Sequence, residues 1–535
     1  MRSYHIITAL LFITAAVPSN ADDLLVTISE ETTRITSPLK PDGYPDYVAA
    51  LNLQLQKGVT PDNNLAVGLW KISGPIDLSV EMKPHFFNAL GMDDLPFEGD
   101  YLTDYYTHYS EYLGPFNPQG GISLADYESS RNDYEDAYSE SLSAPWTKVS
   151  HPQVFQWRED NLDHIEAILK AVDQRDRYFN PYVLMPGSRD NEDDFAPEII
   201  SILLPGVQRS RELARTLTID AYYHLGNGDL DSAMRNSIAV QKMGRLIAKG
   251  GTLVEGLVGI AINGIAYTLD KQIIASEDLS ATQLKAHLNN IQSLSKVPSL
   301  VEKINVTERY MYLDTTIAVA QHGPSALNIT TGSAANPNPL TKGLGKLFAS
   351  SFVNWDNVLK TGNYWYDEMY RISKIQDIAK RNQAYSDLDN RLSTLATEAN
   401  DPASLAKKVL LSGKTIPEIT SEQMSNIMVS LLLPALSAAV SAQERGLMQH
   451  EITQVAIGLE LYHHANNRYP SNLDALKGTF LKSLPNDRFS GKPLKYKTTG
   501  NGYLLYSFGR DHEDNNGQTF DDEPAGDDIA IKRAG

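Results

Sequence analysis

The chain of 535 residues contains no cysteine, and this absence limits how its fold can be held together. It rules out disulfide bonds, thiolate zinc sites, cysteine nucleophiles and a lipid-modified N-terminal cysteine. Residues 1–21 nevertheless read as a secretory signal peptide, with Arg2 as the basic region, an apolar run from Ile6 to Val17, and a predicted cleavage after Ala21. An exported chain without disulfides must rely on large hydrophobic cores, which is typical of a bacterial periplasmic or extracellular protein.

The net charge of −19 bears on the possible partners. Nucleic-acid binding depends on Lys and Arg side chains that neutralise phosphates, so this acidic chain is predicted not to bind nucleic acid. The charge suits a soluble exported protein or one that binds cations. The apolar run of the signal peptide is shorter than the ~20 residues that a membrane-spanning helix needs, so we expect no stable membrane span after cleavage.

Composition divides the chain after the signal peptide, and the length suits about three domains. Residues 22–145 read as a mixed, mostly helical N-terminal region, and residues 146–441 as an α-helical domain with a flexible loop at 322–345. Residues 442–535 read as a C-terminal α+β module. The loop is rich in Gly, Pro, Ser and Asn, the residue types that end helices and form turns.

The N-terminal region contains two predicted helices near its start and a tyrosine stripe farther on. Thr60-Pro61 has the pattern of an N-cap followed by proline at the first helical position. The stripe consists of tyrosines at helical spacing, Tyr101, Tyr105, Tyr109 and Tyr112. These rings could stack on sugars. We favour the alternative that they pack against the rest of the fold with their hydroxyl groups reaching water.

The helical domain shows a 3.6-residue periodicity. In residues 162–172 the apolar positions fall three or four apart, as on one face of a helix. Residues 207–250 read as two helices joined by a tight turn at Gly226–Asp229, and the stretch Tyr223–Ala233 resembles one tetratricopeptide-like hairpin. No 34-residue repeat follows, so we predict an irregular helical array rather than a regular solenoid.

Two segments are apolar enough to form either a buried helix or a membrane helix. Residues 252–275 are interrupted by Glu255 and Asp270, and residues 424–441 contain Pro434, which would kink a helix. We favour a buried helix in both places and keep membrane association as the alternative.

The sequence contains no complete catalytic motif that we can identify. His450-Glu451 would open the H-E-x-x-H motif of zinc proteases, but Gln454 stands where the second histidine is required. A nucleophile elbow, a P-loop and a dinucleotide-binding glycine motif are missing as well. The acidic run at 189–194 is typical of a solvated loop. These observations favour a non-enzymatic protein, with a secreted hydrolase as the alternative.

The C-terminal segment carries the most specific pattern. An amphipathic helix ends at Tyr469-Pro470, a strand is predicted at 504–508, and a loop rich in Asp, Asn and Gly follows. Calcium is bound by six to eight oxygens from carboxylates, amides and backbone carbonyls, and such a loop can supply them. The alternative is a solvated acidic tail.

Residues 449–529 resemble the globular part of the major pseudopilin of type II secretion systems. The likeness rests on Gly458–Tyr462, Asn467–Pro470, Leu484–Asp487, Gly491–Tyr496, Ser507–Asp511 and Asp527–Ile529. It implies that calcium is bound in the C-terminal loop, with Asp511 and then Asp528 as the best-matched ligands. Asp514, Asp521 and Asp522 complete the predicted set.

The chain also departs from the pseudopilin pattern. A pseudopilin begins with a short basic leader and an apolar helix, whereas here the pilin-like helix lies far from the N-terminus, so a pilus subunit is not expected. The whole chain is similar to large uncharacterised secreted proteins of planctomycete-type bacteria, through Gly43–Asn52, Gly58–Asn64 and the Gly226–Ala233 hairpin. We therefore expect a mainly α fold with a C-terminal pseudopilin-like α+β module, and a binding or assembly role with an envelope or secretion-related protein partner.

Overall fold

A computed structural model describes residues 24–114, 123–184, 197–202, 204–323, 326, 353–400, 412–433 and 436–534. It is mainly helical, with a small antiparallel sheet of three strands near the C-terminus. The prediction of a helical array followed by an α+β part is confirmed at this level. Some sequence predictions lie outside the described residues: the signal peptide at 1–21, the acidic run at 189–194, most of the loop at 322–345, and Pro434.

The N-terminal region contains the helices α1 (Tyr47–Leu55), α2 (Leu65–Ser73), α3 (Met82–Leu90), α4 (Tyr105–Leu113) and α5 (Leu124–Ser141). The predicted start of the second helix at Thr60-Pro61 is wrong. The helix begins at Leu65, because the side-chain oxygen of Asn64 accepts a hydrogen bond from Ala66 N at 3.1 Å and so caps it.

Two tyrosines of the predicted stripe pack inside the fold, whereas Tyr101 precedes α4 and is only partly buried. Tyr105 and Tyr109 are 2 % and 7 % exposed, and their rings lie 4.4 Å and 4.1 Å from the ring of Tyr134 on α5. Tyr101 donates its hydroxyl to a nearby backbone carbonyl. The side chain of Tyr112 lies outside the described part of the chain. Packing within the protein is therefore confirmed for Tyr105 and Tyr109. The expectation that their hydroxyl groups reach water is wrong, because the Tyr105 hydroxyl donates to the carbonyl oxygen of Tyr134 at 3.1 Å and the Tyr109 hydroxyl is buried.

The helical body continues with α6 (Pro152–Asp160), α7 (Leu162–Gln174), α8 (Val207–Gly226), α9 (Leu230–Ile247), α10 (Leu253–Ala275), α11 (Ala281–Ser293) and α12 (Leu300–Lys303). A π-helical turn (Ile304–Glu308) leads into α13 (Arg309–His322), and α14 (Trp355–Ser373), α15 (Ile378–Asn400) and α16 (Ile416–Leu432) follow. The predicted hairpin is present as α8 and α9. Glycine is required at its turn, since a Cβ on Gly226 would lie 2.2 Å from the carbonyl oxygen of Trp146.

Helix α10 is the apolar helix predicted at 252–275. By length and composition alone it could cross a membrane, but core helices of soluble proteins meet the same criteria. It packs against α8 and α9, where the carboxylate of Asp270 is buried. The carboxylate of Glu255 is buried at the N-terminal end of the helix and accepts a hydrogen bond from the Tyr182 hydroxyl at 2.6 Å. The helix therefore contributes one face, with both of its acidic side chains, to the interior of the protein.

The C-terminal part begins with the long helix α17 (Leu436–Asn466), inside which the predicted boundary at 441 falls. A 3-10 turn (Leu473–Leu476) and the strands β1 (Lys495–Thr499), β2 (Gly502–Ser507) and β3 (Ile529–Arg533) follow. The strands are antiparallel in the order β1-β2-β3; Lys495 pairs with Tyr506, and Leu505 with Ile531.

Three hydrophobic clusters form the interior of the described structure. The first contains Tyr105 of α4, Leu269 of α10, Ile452 of α17, Leu505 of β2 and Ile531 of β3. The second centres on α13, α14 and α16, and the third on α2, α3, α7, α8 and α9. The C-terminal sheet thus shares a continuous core with the helical body, which fixes the position of the acidic loop between β2 and β3.

Candidate functional site

The acidic loop, defined here as residues 508–528 between β2 and β3, is folded. At its start Phe508 N donates to the buried carboxylate of Asp487 at 2.9 Å. At its end Arg445 of α17 donates to the carbonyl oxygen of Asp527 at 3.1 Å. Backbone hydrogen bonds join the two halves of the loop. These contacts argue against the alternative of a solvated tail.

Two of the five predicted calcium ligands are paired with lysines. Asp514 lies 3.3 Å from Lys495 Nζ and accepts a hydrogen bond from the Tyr506 hydroxyl at 3.0 Å. Asp522 lies 2.6 Å from Lys532 Nζ, and this contact lowers the pKa of Asp522 to about 2. Both carboxylates therefore have their charge balanced by the protein itself.

Asp511 and Asp521 have exposed side chains. Asp511 lies beside the end of the loop, because its backbone N donates to Asp527 Oδ2 at 3.1 Å. Asp521 is held only by a backbone contact, from its N to Thr519 Oγ1 at 3.3 Å, among the contacts described for it. Of this pair, Asp511 is the one whose described contacts include a carboxylate oxygen at the end of the loop.

Asp528 is in a different environment, since its side chain is 0 % exposed. Its Oδ2 accepts a hydrogen bond from Gly517 N at 2.8 Å, and the backbone N–H of Asn515 also faces the carboxylate. Its Oδ1 is buried and has no donor at hydrogen-bonding distance among the described residues. Burial, with a further contribution from the charges of Asp514 and Asp527, raises the pKa of Asp528 to about 6. The Oδ1 of Asp527 is likewise buried and lacks a described partner.

Glycines allow the chain to approach these carboxylates closely. A Cβ on Gly509 would lie 1.9 Å from Asp527 Oδ1, and one on Gly526 would lie 2.6 Å from the carbonyl oxygen of Gln518. Any side chain at either position would displace the loop, because such distances are far below van der Waals contact. Glycine at position 509 therefore lets the backbone pack against the Asp527 carboxylate, and glycine at position 526 lets two segments of the loop approach each other.

These residues can be compared with what calcium requires. Within the described ranges, no group of three or more His, Asp or Glu side chains is placed to hold a metal ion. The structure thus does not bring the five predicted ligands together. It does place two acceptor oxygens without donors on the consecutive residues Asp527 and Asp528. Calcium also accepts backbone carbonyls and water, so these residues fit a site with few carboxylates, and the calcium site stays a prediction.

A second polar cluster, in the helical body, was not recognised from the sequence. Asp270 of α10 is 2 % exposed and accepts hydrogen bonds from Ser237 Oγ at 2.5 Å and Gln241 Nε2 at 2.9 Å, both on α9. His287 Nε2 of α11 lies 3.0 Å from the same carboxylate. Because the carboxylate lies between them, the imidazole is not placed to take the serine proton. The cluster joins three helices, and its one signal in the sequence was a charge within an apolar helix.

His450, the residue that would open a zinc-protease motif, is buried beside this cluster. The Nη2 atom of Arg245, on α9, lies 3.1 Å from the Nδ1 atom of His450. Burial and the charge of Arg245 lower the pKa of His450 to about 4, so the ring is neutral at neutral pH. The adjoining cavity has a volume of about 20 Å³ and is lined by these residues and Asp270, which leaves room for about one water molecule.

A serine, a histidine and a carboxylate also meet at the surface. His151 Nδ1 lies 2.9 Å from Ser150 Oγ, and His151 Nε2 lies 3.2 Å from Glu140 Oε2. Ser150 Oγ, however, accepts a hydrogen bond from Thr147 N at 2.9 Å within the turn that precedes α6. This turn accounts for the position of the serine, so the arrangement gives little support to a hydrolase.

Comparisons with known proteins add nothing to this description of the fold. No family model, curated protein or solved structure matches the chain. The likeness to pseudopilins therefore rests on the residues quoted from the sequence, beside a structure that is mainly helical with a small C-terminal sheet.

Proposed function

We propose that this chain is an exported binding or assembly protein whose C-terminal module is stabilised by a calcium ion. The observation that carries the proposal is Asp528, whose carboxylate is fully buried with one oxygen unpartnered in the described structure. Asp527 adds a second such oxygen. A buried charge without a partner costs several kcal/mol, so a bound cation would remove a cost that the fold otherwise bears.

The proposed ligand set is narrower than the five residues predicted from the sequence. Asp527 and Asp528 would hold the ion, and Asp511 is the third candidate because it adjoins Asp527. Asp514 and Asp522 are assigned to their lysine partners instead. The ion would supply a structural link between the two ends of the loop and no chemistry of its own.

The helical body would provide the surface for a protein partner. A groove of about 510 Å³ lies between α7, α9 and α11. Leu169, Val172 and Ala239 line it with apolar surface. Its charged lining has three cations and one carboxylate: Lys170, Arg235, Lys242 and Asp173. The chain as a whole has a net charge of −19, so the lysines make this groove a local exception. Their positive charge is complementary to an acidic segment of an envelope or secretion-related protein. A secreted hydrolase stays the alternative, but no comparable observation in the described residues favours it.

Calcium titration of the intact protein tests the ligand assignment. We expect isothermal titration calorimetry of the EGTA-treated protein to show calcium binding, and Asp528→Asn to weaken it at least about tenfold because it removes a charged ligand. The matched control is Asp521→Asn, an exposed position of the same loop, which should bind like the wild type. Equal affinity of the wild type and Asp528→Asn would exclude Asp528 as a ligand, and absence of binding would remove the calcium proposal.

A further inference from the structure

Another cavity, of about 200 Å³, lies where α15, α17 and the C-terminal module meet. Its polar lining comes from separate parts of the chain: Arg381 and Tyr385 of α15, Glu444 of α17, Arg488 before β1, and Arg510 and His512 of the acidic loop. Val440 and Phe489 add apolar surface. The cavity is therefore completed only when the C-terminal module is folded against the helices.

Several hydrogen-bond donors in this cavity lack acceptors. The guanidinium of Arg381 makes one described contact, from Nη2 to Glu444 Oε1 at 3.4 Å. The exposed guanidinium of Arg510 has no described hydrogen bond or ion pair. The hydroxyl of Tyr385 is buried and likewise unpartnered in the described structure. Each guanidinium has five N–H donors, so most of the donor capacity here is unused.

Two acceptor groups in the cavity wall, the carboxylate of Glu444 and the carbonyl oxygen of Phe489, are already engaged. Glu444 also binds Arg488 Nη1 at 2.9 Å, and the rest of that guanidinium is paired with Glu451 at 2.6 Å and 3.0 Å. The carbonyl oxygen of Phe489 accepts from Asn382 Nδ2 at 2.9 Å. The remaining carboxylate, Asp389, is exposed. The wall thus offers unused donors on Arg381, Arg510 and Tyr385 beside a single exposed carboxylate, and this excess of donors favours a ligand that brings acceptors.

We propose that this cavity binds a small carboxylate-bearing molecule. Planar guanidinium groups match carboxylates in geometry and charge, and Arg381 and Arg510 would bind the carboxylate of the ligand. The hydroxyl of Tyr385 would donate to a further oxygen of the ligand, and Phe489 would cover its apolar face. The cavity is smaller than the ~300–1,000 Å³ of pockets that hold drug-sized ligands, so the molecule is compact, such as a uronic acid, an acidic amino acid or a dicarboxylate.

Matched pairs of probes test this assignment on the full-length protein. Titration calorimetry compares D-galacturonate with D-galactose, L-glutamate with L-glutamine, and succinate with succinamide, so the pairs distinguish the sources of the carboxylate. We expect at least one acid to bind about tenfold or more tightly than its neutral counterpart. Failure of every acid to bind at about 10 mM, or equal binding of acid and neutral forms, would overturn the proposal.

Variants locate the binding. Arg510→Gln and Tyr385→Phe should each weaken binding of that acid at least about fivefold, and both should fold, because neither side-chain polar group has a described partner. Arg468→Gln, an exposed arginine of the same module, is the control and should not change the affinity. Unchanged affinity in Arg510→Gln would contradict the site. Titrations in calcium and in EGTA separate this test from the calcium proposal, because acid-specific binding in either buffer supports the cavity.

Discussion

Asp522 and Asp528 lie in the same acidic loop but in opposite electrostatic environments. Lys532 lowers the pKa of Asp522 to about 2, whereas burial raises the pKa of Asp528 to about 6. The sequence predicts both as calcium ligands, because composition and spacing do not reveal which carboxylate meets a lysine. That depends on β3, which places Lys532 opposite Leu504 of β2 and within reach of the loop. The sequence could therefore predict that aspartates fill this loop, but it could not predict which group each aspartate contacts.

Asp528 should give the calcium-free protein a distinctive pH dependence. Its pKa is raised from 3.8 to about 6 in the folded chain, so between these values the folded state holds a proton that the unfolded state has lost. The contribution of Asp528 to the unfolding free energy therefore falls as the pH rises from about 4 to about 6.

Urea denaturation in EGTA, compared between the wild type and Asp528→Asn, measures this contribution. We expect the difference in unfolding free energy, wild type minus Asp528→Asn, to decrease as the pH rises from about 4 to about 6. Saturating calcium should oppose the decrease, since the ion binds the deprotonated carboxylate. A pH-independent difference in EGTA would show that Asp528 titrates normally.

The close approach at Gly509 should make this position intolerant of a side chain. In Gly509→Ala the new methyl group would meet Asp527 Oδ1 at 1.9 Å, so we expect a loss of about 1–3 kcal/mol in unfolding free energy and weaker calcium binding. Gly264→Ala on α10 is the control, because a Cβ there meets nothing within 4 Å. Helix propensity should make it neutral or stabilising by up to about 1 kcal/mol. Equal effects in urea denaturation would refute the loop packing.

At the scale of elements, periodic segments could be predicted from the sequence and helix ends less well. Ile165, Ile168 and Val172 of α7 are buried as their spacing predicts, whereas Leu162 of the same stripe is 38 % exposed because it begins the helix. The start of α2 was misplaced, since Asn64 caps the helix although Thr60-Pro61 has the stronger sequence pattern. Competing capping residues a turn apart cannot be ranked without knowing what the rest of the chain contacts.

The polar cluster around Asp270 shows what element packing adds. Its members lie on three helices, at positions 237, 241, 270 and 287, and no sequence spacing identifies them as neighbours. We expect Asp270→Ala to lower the unfolding free energy by about 2–4 kcal/mol, because donors on α9 and α11 lose their buried acceptor. Asp278→Ala, at an exposed position after α10, should change it by less than about 0.5 kcal/mol. Chemical denaturation at neutral pH compares the two, and similar values would contradict a structural role for the cluster.

At the scale of the whole molecule, the C-terminal module is joined to the helical body by core and polar contacts. Leu505 and Ile531 of the sheet belong to the same hydrophobic cluster as Leu269 of α10. The hydroxyl of Tyr267, also on α10, donates to the carbonyl oxygen of Ala530 at 3.1 Å. An ion that stabilises the acidic loop would therefore stabilise the surface that β3 shares with α10, and its effect should extend beyond the loop.

Thermal melting of the full-length protein in calcium and in EGTA, with metal analysis of the purified protein, tests the central claim most directly. An ion at about 100 times its dissociation constant adds about 2.7 kcal/mol to the stability of the state that binds it, which corresponds to a shift of about 2–3 °C for a protein of 535 residues. We predict bound calcium and a melting temperature that is higher in calcium than in EGTA. The same melting temperature in both buffers, with no calcium in the purified protein, would contradict the account.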